Sequence, residues 1–271
     1  ELLTVLETGR VLLWSLQGER LNDLGLGKEC EQQGVLRCEV WPDGLVALTH
    51  AFRLVALLSF SQPRVLPLAD PHLTSAPTAM CLLHQPHDAS TAPTTRPVAR
   101  LPEVVLATSS RTLLVVDEHD AQDQLLTSGP FVELAPSPNG KFLAAFSAAG
   151  SLLVLTADFA RTLSEFVTKT TRPPRGLVWC GTDSLVLHWE GVITRESVLL
   201  MVGPYGDWVR YSYDGPLLLL PEMDCVRLVS ATATELLMRV AEPTEQLFKP
   251  ASLAPAARLL EASEAFTSRS A

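Results

Sequence analysis

The sequence predicts an all-β fold of the WD-repeat-like β-propeller type, and three observations predict it. Apolar runs of about five to seven residues are closed by turn residues at intervals of about ten, the rhythm of short antiparallel strands. Pairs such as Asn139-Gly140 and Asp43-Gly44 stand between the runs and tolerate the positive φ of tight hairpins. Copies of the pattern recur about every 40 residues, the span of one four-stranded blade. Leu and Ala are common in the runs and could favour helix, but 20 prolines and 15 glycines leave almost no uninterrupted helical window before position 240.

The elements follow in order. Leu2–Leu6 is turned at Thr8-Gly9 into Val11–Leu16. Val40-Trp41 passes through Pro42-Asp43-Gly44 into Leu45–Thr49 and then Leu54–Phe60. Val104–Thr108 and Thr112–Val116 form the third copy, and Phe131–Ala135, Lys141–Ser147 and Ser151–Thr156 the fourth. A fifth runs from Leu177-Val178-Trp179 through Leu185–Trp189 into Val198–Val202. The last is Leu217–Leu220, Val226–Ser230 and Glu235–Val240. Two segments depart from the pattern. Thr74–Pro102 carries five prolines among Thr, Ser and Ala and reads as a long loop. From Pro243 the pattern turns helical, and Pro255 opens Ala256–Thr267, with Leu259, Leu260, Ser263 and Phe266 on one stripe. The expected organisation is a partial propeller over residues 1–240, of about five to six blades. A helical exit segment over 241–271 would then lead into an α-solenoid.

Composition narrows the function. Of 271 residues, 47% are hydrophobic and 19% charged, enough to build a packed core. Lys and Arg total 21 against 30 Asp and Glu, a formal charge of −9, which disfavours nucleic-acid and anionic membrane surfaces. The mean hydropathy is +0.20, yet no apolar stretch approaches the roughly 20 residues of a membrane span. The five cysteines form no Cys-x-x-Cys pair, and there is no Asn-x-Ser/Thr acceptor, consistent with a reducing intracellular compartment. The start at Glu1-Leu2-Leu3, without Met or a leader pattern, suggests a fragment.

Catalytic motifs are absent from the sequence: no Gly-x-Ser-x-Gly, no His-Glu-x-x-His, no Gly-Lys-Ser/Thr phosphate loop. His84-Gln85-Pro86-His87-Asp88 could clip a metal but lies in the Pro-rich loop. Asp117-Glu118-His119-Asp120 with Asp123 resembles an oxygen-ligand cluster, yet it lacks the calcium-loop Gly and reads as a solvated hairpin tip. Gly25-Leu26-Gly27 is no dinucleotide fingerprint, because Cys30 stands where the third glycine belongs. Cys180 beside Trp179 reads as a small core residue rather than a reactive thiol. No catalytic residue, cofactor or metal is therefore expected. A propeller hydrolase or metal-dependent enzyme remains the competing class, with His188 its one strand-borne candidate. The informative residues are Tyr205 and Trp208, on or beside the turn Val202-Gly203-Pro204-Tyr205-Gly206-Asp207-Trp208. Trp208 either packs between blades or, with Tyr205, anchors a protein contact.

The second half also resembles a known family: the N-terminal propeller of the class C vacuolar protein sorting subunit sixteen, shared by the HOPS and CORVET endolysosomal tethers. The strings that carry it are Leu177-Val178-Trp179-Cys180-Gly181 with Val186-Leu187-His188-Trp189-Glu190, and Val202-Gly203-Pro204-x-Gly206-Asp207-Trp208. Pro221-Glu222-x-Asp224-x-Val226-Arg227, Glu245-x-x-Phe248-Lys249, Ala254-Pro255 and Leu260-Glu261-Ala262-x-Glu264 continue it. Cys225, Pro250 and Ala256 depart from the family pattern, and the first 130 residues match only in blade rhythm. The resemblance implies a seven-bladed propeller only partly represented here, with roughly the first hundred residues of the native protein outside this chain. It also implies a non-enzymatic scaffold that assembles with other tethering subunits and supports SNARE-mediated fusion. Cytoplasmic placement, peripheral on late endosome, lysosome or vacuole membranes, would follow. A Sec1/Munc18-type SNARE-binding partner would dock on the helical region downstream, not on this segment. Another trafficking coat scaffold shares the propeller-then-helix layout and stays open as an alternative.

Overall fold

A computed structural model of the chain describes residues 1–83, 101–109, 113–191, 196–240, 242–249 and 251–269. Six antiparallel meanders follow one another along it. The first blade is β1 (Leu2–Val5), β2 (Arg10–Trp14) and β3 (Arg20–Gly25), followed by a short helix α1 (Lys28–Gln33). The second blade is β4 (Val35–Trp41), β5 (Gly44–Thr49), β6 (Leu54–Leu57) and β7 (Val65–Pro67). The third is β8 (Ala79–Leu83), β9 (Glu103–Ala107), β10 (Leu113–Val116) and β11 (Ala121–Asp123). The fourth is β12 (Phe131–Pro136), β13 (Phe142–Ser147), β14 (Ser151–Thr156) and β15 (Thr162–Val167). The fifth is β16 (Gly176–Cys180), β17 (Ser184–Glu190), β18 (Ser197–Val202) and β19 (Trp208–Tyr213). The sixth is β20 (Leu218–Pro221), β21 (Val226–Val229) and β22 (Thr234–Leu237), and α2 (Glu242–Phe248) and α3 (Pro255–Arg269) come after it.

Each strand pairs with the next in sequence, so every blade is a simple up-and-down meander. From the second blade to the sixth, the first strand of each blade neighbours the first strand of the next. That is the radial arrangement of a propeller, with the first strand innermost. The apolar cores lie between blades, not within them: five clusters each join two consecutive blades. A strand covered on both faces reads as an unbroken apolar run. Accordingly β5 and β8 are buried along their whole length.

Three expectations need correction. The Pro-rich stretch is not all loop, because Ala79-Met80-Cys81-Leu82-Leu83 inside it is β8, the inner strand of the third blade. Proline density obscured five consecutive apolar residues, and burial on both faces outweighed it. Secondly, β15 and β19 complete their blades as outer strands that the apolar-run pattern does not predict, because both are largely exposed and mix apolar with polar residues. Thirdly, Asn139-Gly140 and Asp43-Gly44 are not alike. Gly140 takes φ of 66°, but Gly44 is required for close approach: a Cβ there would stand 2.1 Å from the Leu57 carbonyl oxygen and 2.6 Å from the Trp41 ring.

The helical stripe after Pro255 is present as α3, with Leu259 and Phe266 exposed. Among the described residues no helix is long and apolar enough to cross a membrane.

A candidate protein-contact crevice between the fourth and fifth blades

Register decides where Trp208 points. Leu185 pairs with Val202 and Val202 with Trp208, Leu187 pairs with Leu200 and Leu200 with Arg210, and Trp189 pairs with Val198. Directly opposed residues share a face, so these three rungs form one side of the fifth blade. Leu185, Leu187 and Val202 are buried against the fourth blade, with Trp189 and Leu200 packed at the edge of the same cluster. Trp208 thus lies on the inter-blade face, yet it is 55% exposed. The packing expectation holds for direction and only in part for burial, since about half of the residue stays in water at the edge of a hollow it shares with Phe166.

On the facing side, Phe146, Leu152 and Phe166 form one rung, and Ala144, Val154 and Ser164 the next. The outer strand β15 therefore offers one bulky ring and one small hydroxyl. The seam closes inward and gapes outward. Two hollows that share Phe166 lie along it. The larger, about 590 Å³, is lined by Phe166, Trp189 and Trp208 with Lys169, Arg172 and Arg210 around it. The smaller, about 340 Å³, includes Tyr205, Pro204 and Trp179.

Tryptophans of the fifth blade fix this geometry. The Trp179 indole N–H donates to the Ala135 carbonyl at 2.8 Å across the seam, and its ring stacks on Phe142 with centroids 6.2 Å apart. Trp189 meets Phe146 edge to face at 6.3 Å and donates to the Arg172 carbonyl at 2.9 Å. The segment that carries Lys169 and Arg172 is thereby tied to β17. Its start is tied as well, since the Thr168 backbone N–H donates to Gly150 at 2.9 Å.

The Tyr205 turn is held from below. Asp207 and Asp183 both pair with Arg239, at 3.2 and 3.1 Å, which joins the fifth blade to the strand exit of the sixth. A Cβ at Gly203 would meet the Asp207 carboxylate at 2.4 Å and displace it from Arg239. Tyr205 itself is 82% exposed. The structure therefore brings Tyr205 and Trp208 to one hairpin but gives each its own hollow. Sequence reasoning missed Phe166, Trp189 and the three cations. The string Thr168-Lys169-Thr170-Thr171-Arg172 was the available signal, since polar residues replace the apolar plug that a sealed seam needs.

Comparison with known proteins decides the family. The model of the Vps16 N-terminal region matches residues 1–271. The chain belongs to that family. Protein VACUOLELESS1 of Arabidopsis thaliana is 31% identical over the whole chain, and the Vps16 homolog of Dictyostelium discoideum is 30% identical over 99% of it. Each alignment covers 32% of the relative, so the chain spans about a third of the length of these curated relatives. Among solved structures, the computationally designed Ika8 protein shares the fold at a TM-score of 0.56 and 13% identity, over 88% of this chain and 67% of that one. The family match reaches through the first 130 residues, where the motifs had offered only rhythm; about 30% identity leaves apolar character in place while exchanging the residues that make a string recognisable.

The remaining candidates fall into structural roles in this Vps16-family chain. His188 is 2% exposed on β17, with its Nε2 3.1 Å from the Ser197 hydroxyl. That hydroxyl donates its one proton to the Gly215 carbonyl at 2.7 Å, so His188 is the donor and carries its proton on Nε2. Burial, then the Arg175 charge, pushes its pKa below the ordinary value. It is a satisfied core imidazole. Asp117 accepts the backbone N–H groups of His119 and Asp120 at 2.7 and 2.8 Å, an exposed turn between β10 and β11. The Cys180 thiol is buried 3.3 Å from the Leu237 carbonyl, and desolvation raises its pKa, which suppresses the thiolate. Among the described residues no group of three His, Cys, Asp or Glu could hold a metal. The pair His84 and His87 lies outside the described residues.

Proposed function

We propose that this chain is a non-catalytic assembly platform of a vacuolar protein sorting subunit. In the fuller reading the subunit belongs to a HOPS- or CORVET-type tethering complex, peripheral on late endosomal, lysosomal or vacuolar membranes, and supports SNARE-mediated fusion. The observation that carries it is membership of the Vps16 N-terminal family along the entire chain, with relatives named for vacuolar protein sorting. A rigid disc of blades with many loop edges suits holding partners. Tyr205 and Trp208 are the contact residues on this reading: large, exposed rings on a braced hairpin are efficient anchors, since little is lost in ordering them. The Sec1/Munc18-type partner would bind the helical region that follows the propeller in the family and not these blades.

The test uses the full-length protein in cells lacking their own copy. Tyr205→Ala with Trp208→Ala should remove at least one co-purifying tether subunit and impair delivery of vacuolar cargo, with the protein still folded by circular dichroism. Wild-type recovery of every subunit together with normal delivery would overturn the assignment of this hairpin. A parent that brings down no tether subunit at all would overturn the complex itself.

A further inference from the structure

The wider mouth of the crevice has a chemistry of its own. Three rings, Phe166, Trp189 and Trp208, line about 590 Å³ of open space between two blades. Three cations, Lys169, Arg172 and Arg210, stand at the same mouth, and among the described residues no carboxylate lines it. Among the described ion pairs none uses these cations, whereas Arg10, Arg37, Arg53, Arg175, Arg227 and Arg239 are each paired with an acid. On a chain of net charge −9 this is a local reversal of sign. We infer that the crevice between the fourth and fifth blades receives an extended peptide segment of a partner, with an apolar side chain seated among Phe166, Trp189 and Trp208 and acidic residues flanking it against Lys169, Arg172 and Arg210. This rests on the platform reading and names the chemistry of the partner at that site.

Charge complementarity selects the occupant. Cations around an apolar slot attract carboxylates and repel a basic segment. A peptide backbone can follow a seam between blades, whereas a bilayer presents a broad surface that cannot enter it. Three cations also fall short of the clusters of roughly four to eight that hold anionic lipid. The slot is preformed: the indole of Trp189 pins the Arg172 backbone, and the Thr168 backbone is bonded to Gly150. A ligand therefore loses little affinity to ordering of the receptor.

A phage-displayed random peptide library panned on the full-length protein tests this, with binding of the recovered peptides measured by fluorescence anisotropy. The expected peptides carry an aromatic or aliphatic residue flanked by Asp or Glu, lose about 10-fold or more in affinity on Trp208→Ala, and weaken as salt is raised. Because a tryptophan variant can perturb its blade, a second protein carrying Lys169→Glu, Arg172→Glu and Arg210→Glu is panned in parallel. It should select basic-flanked peptides instead. Recovery of peptides without acidic bias, or unchanged binding to both variants, overturns the proposal. So does cation-dependent binding to vesicles of equal parts phosphatidylcholine and phosphatidylserine with no peptide selected, which would make the patch a membrane contact. Peptide selection as expected with intact subunit recovery in cells would retain this chemistry while removing the tether role of the hairpin, so the two failures are distinguishable.

Discussion

The seam between the second and third blades and the seam between the fourth and fifth are built from the same parts and end differently. Both bury a band of Leu, Val and Ala from the inner and middle strands around large rings: Trp41 in the first, Trp179 and Phe146 in the second. They part at the outer rim. After β7 the chain runs Leu68-Ala69-Asp70-Pro71-His72-Leu73, and Leu68, Ala69 and Leu73 turn back to pack on the core, with the Ala69 N–H bonded to the Asp117 carbonyl at 3.0 Å. After β15 the chain runs Thr168-Lys169-Thr170-Thr171-Arg172, polar throughout, and its first buried apolar residue is Pro174, just before β16. One connection plugs its seam and the other leaves it open with cations at the mouth. Whether a propeller seam is structural or receptive is thus decided by a few linker residues, not by the blades.

The largest expected effect breaks the sealed seam. Leu106 is fully buried there, so Leu106→Ala should cost about 2–5 kcal/mol through lost transfer energy and an unfilled cavity. Denaturant unfolding followed by tryptophan fluorescence measures it. Trp208→Ala in the open seam should cost far less, despite deleting a larger side chain, because about half the ring is already in water. Equal costs would mean that the two seams do not differ as described.

This contrast explains what was legible in the sequence. Blade rhythm and most inner and middle strands could be read because burial on both faces leaves continuous apolar runs such as Leu45–Leu48. Strand β8 was hidden because the prolines around it describe its flanks and not its own five residues. Outer strands β15 and β19 were hidden because half-exposed strands carry weak alternation, with Leu163 and Val167 facing water. The hairpin residues were found by type, since Tyr and Trp beside Gly and Pro stand out. Their partners were not, because Phe166 and Lys169 come from another blade and only the register brings them near.

A smaller effect sharpens the comparison through pH. The fifth blade buries an imidazole, whereas the run Leu45–Leu48 at the heart of the second is wholly apolar. His188 has a folded pKa below its ordinary 6.5, so the unfolded chain binds its proton first as pH falls. The stability of the neutral buried ring is fully present above 6.5 and is lost as pH drops from there through the folded value. Thermal unfolding between neutral pH and mild acid should therefore show a wild-type decline that is shallower in His188→Gln, whose amide can still donate to Ser197. Parallel profiles would show that His188 does not contribute.

The smallest expected effect on stability is also the most informative about function. Tyr205 is 82% exposed and sits above the Arg239 brace without taking part in it. Tyr205→Ala should change stability by no more than about 0.5 kcal/mol, as surface substitutions do. Arg239→Ala instead removes the common partner of Asp183 and Asp207 and should loosen the whole turn, seen as faster amide exchange across residues 203–208. If Tyr205 is a contact residue, both substitutions weaken subunit recovery, but only the second alters exchange. If Tyr205 is merely a surface ring, its own substitution changes neither measurement. The pair thus separates an anchor from the scaffold that aims it, a distinction that the sealed seam, where packing and position are one property, does not allow.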